Sequence, residues 1–184
     1  FMRSERLFLR PGWPEDWTEI QAGIADEAIV RNLARAPWPY RAEDARGFAS
    51  QPQDQRHPHF FITLPTSAKP AEIIGCIGLD PADGAVDLGY WIAREHWGKG
   101  YASEAGRAVL QIAKVLGHRE LSASHFIDNP ASGRVLRKLG FNPTGRIVPR
   151  FSLARGEEVQ AVEHRLSLGT PSDCDDDPPL MRAA

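Results

Sequence analysis

Hydrophobic and polar residues change rhythm along this chain, and each change marks an element. Between Arg6 and Pro11, Leu7 and Leu9 alternate with Phe8. That period of two predicts a short strand, closed by the proline. "PEDWTEIQAGIADEAIVRNLA" has the spacing of helix, in one piece or two, with Glu15 and Asp16 suited to a first turn. "APWPY" breaks it, and "RAEDARGFASQ" predicts a further short, polar helix. "HFFITLP" and "AEIIGCIGLDP" predict paired strands. "GAVDLGYWIA" is the clearest strand: Val86, Leu88, Tyr90 and Ile92 share one face, and Asp87, Gly89 and Trp91 the other.

From about Gly100 to Leu116 the rhythm lengthens. Ala102, Ala105, Val109, Ile112, Ala113 and Leu116 then share one helical face, with Gly117 as a stop. "RELSASHFI" predicts another strand. "NPASGRVLRKLGF" predicts a short helix, with Asn129 as cap, Pro130 in the first position and Gly140 as stop. Two strands about "ARGE" follow. The order is strand, helices, three strands, helix, strand, helix, two strands. It predicts a mixed α/β domain with antiparallel hairpins and a strand–helix–strand unit at its centre.

Composition narrows the class. A chain of 184 residues with 42% hydrophobic and 25% charged residues is expected to be one soluble globular domain. The domain is expected over residues 3–168. The acidic stretch 169–184, with four Asp and one Arg, has no periodicity and is expected to be a disordered tail. The net charge of −2 speaks against a nucleic-acid grip, and no apolar run nears the ~18 residues of a membrane span. "FMRSERLFLRP" lacks the apolar core of a signal peptide. Cys76 and Cys174 form no metal or redox motif. A cytoplasmic protein, monomer or homodimer, is expected, with no nucleic acid or membrane as partner.

The stretch "HWGKGYASEA" places Gly98 and Gly100 just before good helix formers. A strand feeding a glycine-rich turn and a helix start is suited to an anion, because the first helical N–H groups are unpaired and the glycines let a phosphate approach the backbone. Two known phosphate motifs fail. The dinucleotide fingerprint needs Gly or Ala where Ser103 stands, and the P-loop needs Ser or Thr after its lysine where Gly100 stands.

The pair "LGYWIAREHWGKGYASEA" and "NPASGRVLRKLGF", in that order and spacing, resembles the GCN5-related N-acetyltransferase superfamily. The opening "RLFLRP", the residues around Tyr40 to Ala45 and the closing strands resemble its ribosomal-protein N-terminal acetyltransferase subgroup. The resemblance spans roughly Arg3 to Leu168. It departs at Glu95, where the family carries Gln or Arg. The resemblance implies a mostly antiparallel, centrally splayed sheet flanked by helices, with acetyl-CoA lying between the strands that end near Ile92 and Ile127. It further implies that the backbone edge of Trp91 and Ile92 bonds the pantetheine arm. The N–H groups of Trp97, Gly98, Lys99, Gly100, Tyr101 and Ala102 then hold the pyrophosphate. Asn129 lies near the sulfur, and Ser132 beside the leaving thiolate.

The implied reaction is direct transfer of acetyl from the thioester to a primary amine, with a base to take a proton. Asp87 and His125 are the candidate bases, although each has a plainer reading as a strand carboxylate and a structural histidine. Glu104 suits the helix dipole. His57 and His59 flank Pro58, but no third ligand stands beside them, so no metal is expected. Tyr40, Trp38 and Phe60 are candidates for an acceptor mouth or for core. The acceptor is expected to be a peptide or protein N-terminus. Alternatives are a small-molecule amine (amino acid, polyamine, aminoglycoside) or a non-catalytic acyl-CoA sensor on the same fold.

Overall fold

A computed structural model describes residues 1–66, 71–82 and 84–169. The expected tail at 170–184 lies outside the described residues. Eight strands form one sheet in the order β1-β2-β3-β4-β5-β6-β8-β7. They are β1 (Met2–Arg3), β2 (Phe8–Arg10), β3 (His59–Leu64), β4 (Glu72–Ala82), β5 (Ala85–Ile92), β6 (Glu120–Phe126), β7 (Asn142–Ser152) and β8 (Glu157–Ser167). Every pairing is antiparallel except β5 with β6. Those two run parallel because a helix, α4 (Tyr101–Val115), carries the chain across between them. They pair at one position only, Asp87 opposite Ser122. The sheet is therefore splayed at its centre, as the resemblance implies.

The long helical stretch near the N-terminus is in pieces. A 3-10 turn (Pro14–Asp16) leads into α1 (Trp17–Ile24), and α2 (Glu27–Val30) follows. The break comes from Asp26, whose side chain accepts from the Ala28 N–H at 2.8 Å and so caps a new helix. The polar helix α3 is Ala42–Ala49, and α5 is Pro130–Lys138.

Two apolar clusters, one on each face of the sheet, fix these elements. Leu88, Ile92, Ala105, Val109 and Leu136 belong to the cluster shared with α4 and α5. Ile20, Ile24, Ala45, Phe61 and Trp91 belong to the one under α1 and α3. The alternation within β5 thus divides Leu88 and Ile92 from Trp91 as its pattern predicts. Phe60 falls in the α4 cluster and Phe61 in the other, so Phe60 is core rather than mouth. Each fully buried Leu, Ile or Phe contributes about 1.5–3 kcal/mol. At the contact of α4 with α5, a Cβ on Gly106 would lie 2.5 Å from Leu139, so only glycine lets these helices approach so closely.

Candidate active site

The chain leaves β5 through a tight turn. Ala93 N–H still donates to Ile74 on β4 at 2.8 Å. The His96 and Trp97 N–H groups then turn back to the Ala93 and Arg94 carbonyls at 2.9 and 3.1 Å. Gly98 and Gly100 follow with φ of +74° and +83°, a region that side chains disfavour. No atom lies within 4 Å of where a Cβ on Gly98 would stand, and at Gly100 the nearest is an Arg6 nitrogen at 3.6 Å. The glycines serve the backbone twist, and the space above Gly98 is open. Among the described residues nothing accepts from the N–H groups of residues 98–103. These donors sit at the start of a 15-residue helix, where its dipole adds partial positive charge. The expectation for Trp97 needs correcting: its N–H is taken by Arg94, so the unpaired run begins at Gly98.

A carboxylate holds this loop from below. Glu104 is buried and accepts from the Ser4 hydroxyl (2.7 Å), the Arg6 N–H (2.7 Å) and Arg6 Nε (2.8 Å). Arg6 Nη1 in turn donates to the Lys99 carbonyl at 3.1 Å, inside the glycine loop. Burial pushes the Glu104 carboxyl up, but the donors from Arg6 and Ser4 outweigh it and hold the pKa below its ordinary value. Glu104 does more than suit the dipole: it ties the β1–β2 turn to the loop. Glu95, the departure from the family pattern, is mostly exposed and lies 3.7 Å from His96 Nε2.

At the splay, antiparallel alternation decides which backbone groups are free. The Ala93 bond to Ile74 and the pairing of Cys76 with Trp91 put Trp91's backbone in the β4 ladder. Tyr90 and Ile92 turn theirs toward β6. The backbone edge left free of β4 is therefore that of Tyr90 and Ile92, where Trp91 and Ile92 were expected. The Trp97 indole already donates to the Ile92 carbonyl at 2.7 Å.

Across the splay, Asn129 caps α5: its Oδ1 accepts from the Ser132 N–H at 3.3 Å. Ser132 Oγ lies 2.6 Å from the Tyr90 hydroxyl. Burial pushes the Tyr90 phenol up to about 12, so it stays protonated at any working pH. His125 is engaged elsewhere. Its Nδ1 is 3.0 Å from His164 Nε2, and a Cβ on Gly133 would lie 2.7 Å from its Nε2. Burial first, and then the charges of His164 and Arg137, hold the His125 imidazole below its ordinary value. The pair joins β6 to β8 through one ring nitrogen of His125, which stays half-buried.

Two adjoining cavities of about 340 and 560 Å³ open beside β4 and β5, the larger under α1 and α3 and the smaller at the splay. Asp80, Gly89, Tyr90 and Arg35 line both. The smaller brings together the sequence candidates Asp87, His125, Asn129 and Ser132. Gly78 and Gly89 face each other in the ladder; the His59 ring lies over Gly78, and the space over Gly89 is open up to an Asp80 oxygen at 4.0 Å. One step along this face Asp80 stands opposite Asp87. Facing carboxylates repel, and each is compensated. Asp87 accepts from the Ser122 hydroxyl and from Arg150 at 3.3 Å. Asp80 pairs with Arg35 and lies 3.2 Å from His59 Nε2. Burial pushes Asp80 up, but His59 and Arg35 hold its pKa below the ordinary value.

Sequence reasoning missed Asp80 and Tyr90. Asp80 is the one acid inside the otherwise apolar run "IIGCIGLDP", a signal that could have found it. The loop over the cavity is clamped by Arg155, which donates to the Arg31 carbonyl at 2.8 Å and to both Asp128 oxygens at 2.8 and 3.0 Å. Arg134, Arg137 and Lys138 are exposed on α5.

Over residues 6–142 the chain matches the model of the acetyltransferase (GNAT) domain. It is 40% identical over 152 residues to the uncharacterized N-acetyltransferase YoaA of Bacillus subtilis (strain 168), covering 78% of this chain and 84% of that protein. An acetyltransferase of the GNAT family from Bacillus anthracis shares the fold with a TM-score of 0.77 at 22% identity, over 91% of this chain and 98% of that one. RimL, a ribosomal α-N-protein acetyltransferase in complex with coenzyme A, shares it with a TM-score of 0.73 at 19% identity, over 89% and 95%. At such identities the structural likeness speaks for the fold alone, and RimL is one neighbour among many. The loop of unpaired donors, the splayed sheet and the family match agree: the chain belongs to the GNAT acetyltransferases and is an acetyl-CoA-dependent N-acetyltransferase.

Proposed function

We propose that the protein moves an acetyl group directly from the CoA thioester to the α-amine of a peptide or protein N-terminus. The observation that carries this is the meeting of Ser132, Asp80 and the free β5 edge at one cavity. The N–H groups of residues 98–103 hold the pyrophosphate, and the Tyr90 and Ile92 edge carries the pantetheine arm. Asp80, backed by His59, takes a proton from the amine, directly or through water. Only a neutral amine attacks, and an α-amine with a pKa near 8 needs less help than a lysine near 10.4. An N–H on the β5 edge stabilises the oxyanion. Ser132 donates a hydrogen bond from its hydroxyl to the departing thiolate.

A second reading rests on one observation. Glu43, Asp44 and Asp80 line the larger cavity, where Arg35 is the one arginine. That lining favours a small cationic amine such as a polyamine. The test is competition, read by thiol release, between a short peptide with a free N-terminus, its N-blocked twin carrying one lysine, and a polyamine. Faster turnover of the free peptide supports the first reading, and faster turnover of the polyamine the second. CoA binding without turnover of any amine would make the protein a sensor.

A further inference from the structure

Ser132 is half-buried, and among the described residues its hydroxyl has one side-chain hydrogen-bond neighbour, the Tyr90 phenol at 2.6 Å. Tyr90 stands on β5, across the splay from α5, with its ring packed against the α4 cluster. Both residues line the smaller cavity. The pair can bond in two ways. In one, Ser132 donates to Tyr90, and the phenol proton must turn to the Ser132 carbonyl, which is 3.4 Å away and a poor acceptor. In the other, Tyr90 donates to Ser132 Oγ at 2.6 Å, and the serine proton is left to point into the cavity. A thiolate forming there selects the second arrangement, because it needs a donor.

We propose that Tyr90 is a positioning residue that acts through Ser132, orienting and polarising the serine hydroxyl toward the sulfur of CoA. This rests on the reading of Ser132 as the group beside the leaving thiolate. As the amine nitrogen bonds the acetyl carbon and the C–S bond breaks, the electron pair of that bond goes to sulfur. Ser132 Oγ–H then donates a hydrogen bond to sulfur and stabilises the thiolate, with the Tyr90 phenol bonded to Ser132 Oγ behind it. The thiolate leaves in that form or takes its proton from solvent. A chain of two hydroxyls strengthens the terminal donor beyond what an isolated serine offers. The phenol is suited to this task because burial leaves it a donor throughout the neutral range. Tyr90 also joins the two halves of the splay, so it sets the distance between the β5 edge and α5.

The test has two readouts. The first is the acceptor-independent ionisation of CoA bound to the enzyme, followed by thiolate ultraviolet absorbance between pH 6 and 9.5. The wild type is expected to lower the thiol pKa of bound CoA, and Tyr90→Phe and Ser132→Ala are each expected to return it toward the free value. The second is turnover. Tyr90→Phe is expected to lower kcat about three- to tenfold, as loss of one hydrogen bond does, with KM for acetyl-CoA and Tm little changed. In the Ser132→Ala background the same change is expected to add almost nothing. If Ser132→Ala leaves both the thiol ionisation and kcat untouched, the reading of Ser132 falls, and this proposal with it. If Ser132→Ala acts but Tyr90→Phe is silent, or the two effects simply add, the reading of Ser132 stands and Tyr90 is only a packed ring. A protein that turns over no amine still reports through the thiolate absorbance.

Discussion

The donor side and the acceptor side of this site are built from different materials. The donor side is backbone: a run of N–H groups at the start of α4 and the edge of β5 where the sheet parts. The acceptor side is side chains: Asp80, Asp87, Arg35 and Arg150, drawn from β4, β5, β7 and a loop. A backbone site needs only a conformation, and a conformation is set by a few consecutive residues. A side-chain site needs a fold. On the proposed function, the molecule thus holds a generic half that any acetyl-CoA user can share and a particular half that sets its acceptor.

The largest expected effect breaks the donor side. Gly98→Val and Gly100→Val place a β-branched residue at φ near +80°, which costs more than the roughly 1–2 kcal/mol of an ordinary left-handed residue. With open space above Gly98, the strain at that position stays local. The variants are expected to fold yet lose the rise in Tm that acetyl-CoA gives the wild type, about 2.7 kcal/mol of stabilisation at a hundred times Kd. Variants that fold and bind CoA normally would put the phosphate cradle elsewhere.

The next effect breaks the acceptor side and leaves the donor side whole. Asp80→Asn is expected to lower kcat/KM for the amine by about 10² or more, as loss of a general base does, with the acetyl-CoA Tm rise retained. The sign of the pH dependence follows from the lowered pKa. Asp80 stays ionised through the neutral range, so its limb of the pH–rate profile lies on the acid side, below the ordinary aspartate value. A rise in rate near pH 8 then belongs to the amine. If Asp80→Asn keeps full turnover, Asp87 becomes the leading base, and Asp87→Asn is the matching measurement.

These two breaks also show why one half was legible in the sequence. Gly98, Gly100, Asn129 and Ser132 lie in two short motifs, and their local spacing states the turn, the cap and the helix start. The fold followed from the same kind of signal, since β5 and α4 have clean periods of two and of 3.6. The backbone edge at Trp91 was misplaced by one residue, because strand pattern gives side-chain faces and not which backbone groups the neighbouring strand uses. The acceptor side gave no such signal. Asp80 meets Asp87 through a strand register, and Tyr90 meets Ser132 across a splay 42 residues apart in sequence. His125 looked catalytic because it lies near the splay. Its Nδ1 meets His164, 39 residues on, while the ring still lines the smaller cavity.

A smaller effect tests a side chain that anchors the donor side from behind. Glu104→Gln keeps the shape of the anchor and removes its charge. It is expected to lower Tm, to raise KM for acetyl-CoA a few-fold through the loosened Lys99 carbonyl contact, and to leave KM for the amine alone. Loss of a charge-assisted hydrogen bond costs about 1.5–3 kcal/mol. The folded carboxyl has a lowered pKa, so its stabilisation is present above the unfolded glutamate value and is lost as pH falls through the folded one. The gap between wild type and variant is therefore expected to close in acid. A gap that widens in acid would contradict the anchor.

The smallest effect is expected at Cys76, which belongs to the acceptor side by position and to neither side by chemistry. It lines the larger cavity, and a cysteine at a cavity of an acyltransferase invites a covalent route through an acetyl-thioester. Its surroundings argue otherwise. Cys76 is 4% exposed, and burial, helped by the charge of Asp80, pushes its thiol up to about 12. At pH 7 that leaves about one thiolate in 10⁵, and the thiolate is the nucleophile. A direct transfer needs no such intermediate, because the amine and the thioester meet at the splay. Cys76→Ala, alone and with Cys174→Ala, is expected to keep more than about half of the turnover, with a stability loss of about 1 kcal/mol for the small volume removed. Cys174 lies outside the described residues, so the double variant is what excludes both thiols. Intact-protein mass measurement after mixing with acetyl-CoA, without amine, is expected to show no added acetyl group on Cys76. A trapped acetyl on that residue, with turnover lost in Cys76→Ala and CoA binding intact, would replace direct transfer with a two-step route.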